Sequence, residues 1–403
     1  MVSLYDLSLA DMTDFCAGLG EKPFRARQLY AWLYGKGVND FAQMTDVPVA
    51  AREKLAACAR ADGLMLAETL SSADGQTTKY LFGTDDGNYI ETVFMKYKDR
   101  NSICISTQAG CRMGCRFCAS GSLGLARDLG PAEMALQVVL SEREAGARTK
   151  NIVLMGIGEP LDNFNNVKKF IENITDDHGR DLSRRAITLS TCGLVPGIRR
   201  LAEELPQVNL AISLHAPNDR LRERIMPVTK RYGVKDIVEA AREHFAATHR
   251  RPTFEYALIR GFNDGPEHAA ELAALLKGMN CIVNLIPLNS AGGGGSGGGL
   301  RCGHGSSERT REGDERTRDG GLQGVCGGDE RTSGGGLHGG YGSSERTSEG
   351  DERTCGGDWQ GSDADKAEWF REELGRRHVP ATVRNSLGAD IEAACGQLRL
   401  RRS

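Results

Sequence analysis

The sequence of this 403-residue chain predicts an α/β protein built on a parallel sheet. Five apolar runs of buried-strand length lie between residues 151 and 289, and helical patterns such as 131–144 and 235–248 separate them. This β–α–β rhythm is typical of a parallel sheet, either open or curved into a barrel. The strand runs are NIVLMGIG (151–158), AITLSTCG (186–193), VNLAISLHA (208–216), TFEYALI (253–259) and NCIVNLIPLN (280–289).

The N-terminal part, residues 1–65, is predicted to be a small helical domain. Its spacing of apolar residues places Phe24, Leu29, Trp32 and Leu33 on one helix face. Its basic residues form either an RNA-facing surface or an ordinary solvated face, and charge alone does not separate these two interpretations. These residues are Arg25, Arg27, Lys36 and Arg52.

Two further segments flank the barrel region, which we place at 109–290. Residues 66–108 read as a β-rich connector, because β-prone runs such as TTKYLF and YIETVFM are separated by turn residues. Residues 362–403 contain a helical pattern (365–378), then a strand run VPATVRN and a tail. We expect this C-terminal segment to complete the core.

Residues 291–361 interrupt the globular pattern. They contain 25 of the 51 glycines and only ten hydrophobic residues, and the run at 305–317 returns almost unchanged at 342–354. A repeat of this composition cannot bury a core and is predicted to be a long disordered insertion. It contributes −4 to the net charge of −3, so the rest is nearly neutral. That balance argues against a nonspecific coat for nucleic acid but allows a local basic patch.

The twelve cysteines indicate metal or redox chemistry. No apolar run approaches the roughly 18 residues of a membrane span, and the start of the chain lacks a signal-peptide pattern. We therefore expect a cytoplasmic protein, in which cysteines seldom form a disulfide framework. Cys16, Cys58, Cys192 and Cys281 lie in apolar runs and are predicted to be structural.

Cys111, Cys115 and Cys118 form the clearest chemical motif, GCRMGCRFC. Three thiolates at this spacing can hold three irons of a [4Fe–4S] cluster and leave the fourth iron open to S-adenosylmethionine. A zinc site is the alternative, but it requires a fourth ligand. The β–α repeats that follow favour the cluster.

The sequence also resembles one particular family of enzymes. The segments ETVFMKYKDRNSICISTQAGCRMGCRFC, MGIGEPLDN, LSTCG, SLHAPND, NLIPLN and GADIEAACGQL occur in the order and spacing of the radical S-adenosylmethionine dual-specificity adenine-C2 methyltransferases. The match covers residues 1–290 and 362–398. It implies a partial (β/α)6 barrel, and methylation of carbon 2 of one adenosine in 23S ribosomal RNA and of the adenosine 3′ to the anticodon in tRNA.

The resemblance also implies a methyl-cysteine relay. Cys395 would carry the methyl group as S-methylcysteine, and Cys104 would resolve the protein–RNA link through a transient disulfide with Cys395. Glu91 matches the residue treated as the proton acceptor. Whether Glu91 or the Cys104 thiolate removes the carbon-2 proton stays open at this point.

Polar residues at the ends of the predicted strands match the cofactor contacts of the family. In a parallel sheet such ends meet at one edge, where ligands bind. S-adenosylmethionine, two molecules per turnover, would be held by Gly158, Glu159, Ser190, Ser213, Leu214, His215 and Asn289. A glycine permits close approach of a ligand, and a carboxylate accepts hydrogen bonds from the methionine ammonium.

The implied partners are 23S rRNA, tRNA and an electron donor such as flavodoxin, for a monomeric enzyme. Arg399, Arg401 and Arg402 are candidates for contacts with the RNA backbone. Two other outcomes stay open: methylation of carbon 8 of adenosine, as in the related antibiotic-resistance group, or impaired catalysis. Impaired catalysis is considered because residues 291–361 replace a short linker before Cys395. Folding itself should tolerate the insertion, since each doubling of the length of a flexible loop costs only about 0.6 kcal/mol of folding free energy.

Overall fold

The computed structural model describes residues 1–121, 124–289, 359–384, 387–394, 396–398 and 401–402, the last pair by backbone alone. The predicted insertion lies outside the described residues except at its C-terminal end. Cys395 and Arg399 also lie outside them.

The N-terminal module is helical, as the sequence predicts, and a two-residue parallel strand pair joins its ends. Its elements are β1 (Val2–Ser3), α1 (Leu9–Gly18), α2 (Phe24–Tyr30), α3 (Val49–Cys58) and β2 (Ala59–Arg60).

One detail of the helical prediction is wrong. Leu29, Trp32 and Leu33 are buried, but Phe24 is exposed. Five residues separate Phe24 from Leu29, which turns the two side chains about 140° apart on a helix. The Phe24 ring instead lies under the Arg25 guanidinium.

Antiparallel strands follow the module. They are β3 (Leu64–Ser71), β4 (Thr77–Thr84), β5 (Asn88–Lys96) and β6 (Asn101–Cys104), and a short hairpin of β7 (Gln108–Gly110) and β8 (Leu125–Asp128) comes next. Strands β3 to β6 pair in chain order and continue directly into the parallel part of the same sheet, because β6 pairs with the first barrel strand in parallel.

Helices and parallel strands then alternate. The elements are α4 (Pro131–Ala145), β9 (Asn151–Leu154), α5 (Phe164–Ile174), β10 (Ile187–Thr191), α6 (Val195–Glu204), β11 (Asn209–Ser213), α7 (Asp219–Ile225), α8 (Val234–Thr248), β12 (Thr253–Leu258), α9 (Pro266–Leu275), β13 (Ile282–Pro287), α10 (Ala364–Arg376), β14 (Ala381–Val383) and β15 (Arg401–Arg402). The order across the sheet is β14-β13-β12-β11-β10-β9-β6-β5-β4-β3, and β15 pairs with β5. All five predicted barrel strands are present.

The sheet curves around an interior. Val93 of β5 and Ile286 of β13 line the same cavity, although six strand spacings separate them. At about 4.8 Å per spacing, a flat sheet would hold them about 29 Å apart. The parallel strands therefore form a partial barrel.

Alternation along β5 decides which side chains enter this interior. Thr92 points outward, where its hydroxyl donates to Gln137 of α4 at 2.8 Å. Glu91 and Val93 flank it on the strand and thus point inward. Helix α4 is anchored by Pro131 in its first turn and ends at Gly146, whose φ of 59° suits a glycine.

Among the described residues, no helix is both long and apolar enough to cross a membrane.

Candidate active site

A loop between β7 and β8 carries the three cysteines of the motif, and we call residues 111–121 the cluster loop. Cys111, Cys115 and Cys118 all line one cavity at the carboxyl ends of the barrel strands, the cluster cavity. Gly110 starts the loop with φ of 84°, and a side chain there would collide with the backbone of Gly124. The hairpin therefore requires glycine where the loop begins.

The three thiols fit a multi-iron cluster better than a single ion. Sulfurs that share one tetrahedral zinc lie about 3.8 Å apart. Within the described residues, three ligand atoms lie within 4.8 Å of one another only at Asp176, Asp177 and His178, which are distant in sequence from the motif. At least two of the three cysteine sulfurs therefore lie more than 4.8 Å apart, wider than the spacing around one tetrahedral zinc.

The three cysteines of the cluster loop are partly buried. Burial raises the pKa of the Cys111 thiol to about 12, and burial together with the other thiols raises the pKa of Cys115. Ligation must therefore displace protons, a step that iron favours by its own charge.

Glu159 lies in the same cavity and is held by the backbone. Its two carboxylate oxygens accept hydrogen bonds from the backbone N–H groups of Cys192 (2.7 Å) and Leu161 (3.1 Å). Burial raises the pKa of this carboxyl. A carboxylate fixed in this way is prepared to receive a cation such as an ammonium group.

Gly158 precedes it and lines the cluster cavity, and the predicted close approach of a ligand to its backbone stays a prediction. Its φ is 110°, and a Cβ would lie 2.7 Å from the Cβ of Gln108. The close packing of Gln108 and Thr107 therefore requires a glycine here. The Gln108 side chain in turn accepts a hydrogen bond from the Glu159 backbone N–H at 2.8 Å.

His215 also lines the cluster cavity, in a left-handed conformation with φ of 58°. Its Nδ1 accepts a hydrogen bond from the backbone N–H of Ala257 at 2.9 Å, so the neutral ring carries its proton on Nε2. Burial lowers the pKa of His215 to about 3. The Phe117 ring of the cluster loop meets the imidazole edge-on, with ring centroids 4.9 Å apart.

The other predicted cofactor contacts divide into three groups. Ser190 and Ser213 line the cluster cavity. The side chain of Leu214 is fully buried in the main core, so only its backbone is available to a ligand. Asn289 lines a neighbouring cavity instead.

That neighbouring space, the thiol cavity, contains Cys104. It shares the wall residues Met155, Ile286 and Arg384 with the cluster cavity. The side chain of Cys104 is buried. Cys395 lies outside the described residues, and the predicted disulfide therefore stays a prediction.

The residues around Cys395 are nevertheless placed. Ala393, Ala394 and Leu398 line the thiol cavity with Cys104. Gly396 lines the cluster cavity, and its carbonyl accepts a hydrogen bond from the Ala119 N–H at 2.8 Å. The segment that contains Cys395 thus lies against both cavities.

Glu91 is buried on the inner face of β5, and its Oε1 lies 3.3 Å from Nζ of Lys79 on β4. The strand register also pairs Val93, two residues further along β5, with Cys104. Glu91 and Cys104 therefore share the interior face.

The predicted basic surface needs a correction. Arg25 is buried, with Nε 3.5 Å from Glu21, because this side chain packs within the helical module. Arg27 and Lys36 are exposed, whereas Arg52 is half-buried and donates to the Ala42 carbonyl. The backbone of 401–402 pairs with β5.

Sequence reasoning missed two charged residues, Lys79 and Arg222. The buried Arg222 donates to the carbonyls of Cys192, Ser213 and Leu214 at 2.5–3.0 Å. Cys192, predicted to be structural only, lines the cluster cavity. A lysine inside the apolar run TTKYLF was the available sign of Lys79, whereas Arg222 lies in a charged helix that resembles a solvated one.

A partial parallel barrel with three cysteines at its ligand-binding end defines the class of radical S-adenosylmethionine enzymes. Residues 105–273 match the sequence profile of the Radical SAM superfamily. Residues 2–61 match the ribosomal RNA large subunit methyltransferase N-terminal domain.

Similar proteins narrow the class to one family. The chain is 40% identical over 400 residues to the probable dual-specificity RNA methyltransferase RlmN of Desulforamulus reducens, covering 99% of this chain and 96% of that protein. It is 41% identical to that of Pelotomaculum thermopropionicum, over 99% and 91% of the two chains. A crystal structure of a radical SAM methyltransferase from Sphaerobacter thermophilus matches with a TM-score of 0.81, 37% identity and 99% coverage of each chain. The chain belongs to the RlmN family of radical S-adenosylmethionine RNA methyltransferases. This family uses a [4Fe–4S] cluster and S-adenosylmethionine.

Proposed function

We propose that this protein methylates carbon 2 of an adenosine in 23S rRNA and of the adenosine 3′ to the anticodon in tRNA, through a methyl-cysteine relay. One observation carries the proposal. The residues on both sides of Cys395 line the cluster cavity and the thiol cavity, which holds Cys104. A methyl group on Cys395 would be within reach of both.

The residues of the cluster cavity would bind the cofactors. Cys111, Cys115 and Cys118 would hold the cluster, and Glu159 would receive the methionine ammonium of S-adenosylmethionine beside it. When bound, these groups supply a deoxyadenosyl radical. Met226 and Leu288 also line the cavity, and this apolar wall would exclude water from such a reactive species.

Cys395, Glu91 and Cys104 would carry out the transfer. Cys395 presents the methyl carbon that becomes bonded to carbon 2. Glu91, which lies on the same interior strand face as Cys104, would then take the carbon-2 proton. The Cys104 thiolate would attack the Cys395 sulfur, so that an S–S bond forms as the C–S bond to the product breaks. The electron pair of the C–S bond goes to the bridging carbon, which takes up a proton and becomes the methyl group on carbon 2.

Further parts of the proposal concern partners. A flavodoxin-type donor would supply electrons to a monomeric, cytoplasmic enzyme. The exposed Arg27 and Lys36 of the N-terminal module would contact RNA phosphates.

The test is reconstitution of the full chain with iron, sulfide, S-adenosylmethionine and a reductant, using unmodified 23S rRNA and tRNA. Nuclease digestion and mass spectrometry should show 2-methyladenosine in both RNAs. Cys395→Ala should abolish it, and Cys281→Ala, a buried thiol remote from both cavities, is the matched control. Finding 8-methyladenosine would replace the proposal by the carbon-8 reaction. S-methylated Cys395 without an RNA product would indicate an impaired homologue.

A further inference from the structure

A single buried lysine connects the two parts of the chain on which the proposed transfer depends. The side chain of Lys79 is 4% exposed, and that of Glu91 is 1% exposed. Nζ of Lys79 lies 3.3 Å from Oε1 of Glu91 and donates to the backbone carbonyl of Glu392 at 3.2 Å. Glu392 precedes Cys395 by three residues.

The carbonyl that Lys79 binds belongs to a tight turn. Glu392 has φ of 51°, a left-handed conformation that few glutamates adopt. The Ala393 N–H closes the turn by donating to the Gly388 carbonyl at 2.8 Å. Such a conformation persists only where neighbouring contacts hold it. The Lys79 ammonium supplies one of these contacts.

Other contacts dock the same segment on the β3–β4 hairpin. The carboxylate of Asp390 accepts a hydrogen bond from the Ala73 N–H at 2.9 Å. A Cβ at Gly388 would lie 2.7 Å from Cγ2 of Thr77, so Gly388 packs directly against β4. These contacts hold the start of the turn, whereas Lys79 holds its end, closest to Cys395.

We propose that Lys79 is a positioning residue that fixes the Glu91 carboxylate and the Cys395 segment relative to each other. The inference rests on the proposed function, in which Glu91 accepts a proton and Cys395 carries the methyl group. In that step the C2–H bond of adenine breaks and an O–H bond forms on Glu91. Lys79 neither gains nor loses an atom. It sets the distance between the Glu91 carboxylate and the adenine that is bonded to Cys395 through the transferred carbon.

A purely structural ion pair makes a different prediction. Breaking any buried pair destabilises a protein, since it leaves an unpaired charge in the interior. A positioning role requires in addition that cofactor consumption and RNA methylation become uncoupled, because the radical still forms while its product is no longer processed. The ratio of 2-methyladenosine to 5′-deoxyadenosine measures this coupling and does not depend on how much protein is folded.

The experiment compares Lys79→Met and Lys79→Arg with the wild-type chain. Arg180→Met is the matched control, because it breaks a pair of similar burial with Glu142 (4% and 9% exposed) outside both cavities. Each reconstituted protein is assayed for 2-methyladenosine per 5′-deoxyadenosine. Hydrogen exchange of the apo-proteins reports the amides of residues 388–394.

We expect Lys79→Met to lower the product ratio at least about tenfold, as expected when reacting groups are misplaced by about an ångström. Exchange at Glu392 and its neighbours should become faster. Lys79→Arg should restore part of the product ratio and part of the slow amide exchange. Arg180→Met should leave the product ratio at the wild-type value. A wild-type ratio in Lys79→Met, or an equal fall in Arg180→Met, would overturn the inference.

The two proposals fail in distinguishable ways. If the wild-type chain makes no 2-methyladenosine, the proposed function fails, and hydrogen exchange alone decides whether Lys79 holds the Cys395 segment. Unchanged exchange in Lys79→Met would then refute that role.

Discussion

Replacing Arg222 by leucine is expected to destabilise the fold by about 3 kcal/mol. The guanidinium is fully buried and serves as the donor for three strand-end carbonyls, with a fourth hydrogen bond to Oγ1 of Thr229 at 2.9 Å. Leucine retains apolar bulk but donates nothing. The three carbonyls belong to Cys192, Ser213 and Leu214, so the perturbation acts at the floor of the cluster cavity.

The magnitude follows from these contacts. A buried carbonyl that loses its donor costs about 1 kcal/mol at the lower end of the usual range. The lower end applies because removing a buried cation also relieves its desolvation, which lowers the pKa of Arg222 here. Three carbonyls then give about 3 kcal/mol, a change of about 160-fold in the unfolding equilibrium constant.

Urea unfolding of the apo-protein measures this change. With a slope of about 3 kcal/mol per molar urea, the midpoint should fall by about 1 M. Arg199→Leu is the control, because Arg199 is 52% exposed and pairs with Glu243 at the surface, where ion pairs contribute at most about 1 kcal/mol. Equal midpoints for the two variants would refute the reasoning that Arg222 holds the strand ends.

Three other outcomes are expected. After anaerobic reconstitution, the Gly110→Ala variant should bind much less iron than the wild-type protein, because its Cβ would meet the Gly124 carbonyl. Gly124→Ala, whose Cβ has open space, should bind most of the wild-type amount, and equal iron contents of the two variants would contradict this. Ser120→Ala should speed amide exchange at 396–398, since it loses a 2.6 Å hydrogen bond to the Leu398 carbonyl, at about 1 kcal/mol. His215 stays neutral when folded, because burial lowers its pKa to about 3, but takes up a proton below about pH 6.5 when unfolded. The free energy of unfolding should therefore decrease as the pH is lowered, by about 1.4 kcal/mol at pH 5.5. Between pH 7.5 and 5.5 the urea midpoint of His215→Asn should fall less than that of the wild-type protein, and equal falls would contradict this.

Much of the fold was predictable because its elements are locally encoded. After its first residue the run NIVLMGIG has no polar side chain, which is typical of a strand in a parallel sheet covered on both faces, and Asn151–Leu154 forms a strand with Ile152 and Leu154 buried. Phe24 shows the limit of this reasoning. An aromatic residue near the start of a helical pattern looks like a core residue, but its angle around the helix axis turns it to solvent.

Candidate site residues were predictable where they formed a motif. Cys111, Cys115 and Cys118 are close in sequence, so their spacing alone indicates shared chemistry. Gly158 was identified as a special position, but the sequence did not show that Gln108, fifty residues away, packs against it. A sequence pattern does not show which distant segment approaches a glycine.

By itself, the sequence determined the parallel α/β barrel, the three cysteines of the cluster loop and the family to which the chain belongs. Only the tertiary structure decided that Lys79 joins Glu91 to Glu392, and that Arg222 holds the carboxyl ends of β10 and β11. The physical reason is the same for both residues. A charged side chain is stable in the interior only where partners from distant segments converge on it, and that convergence arises from the folded chain.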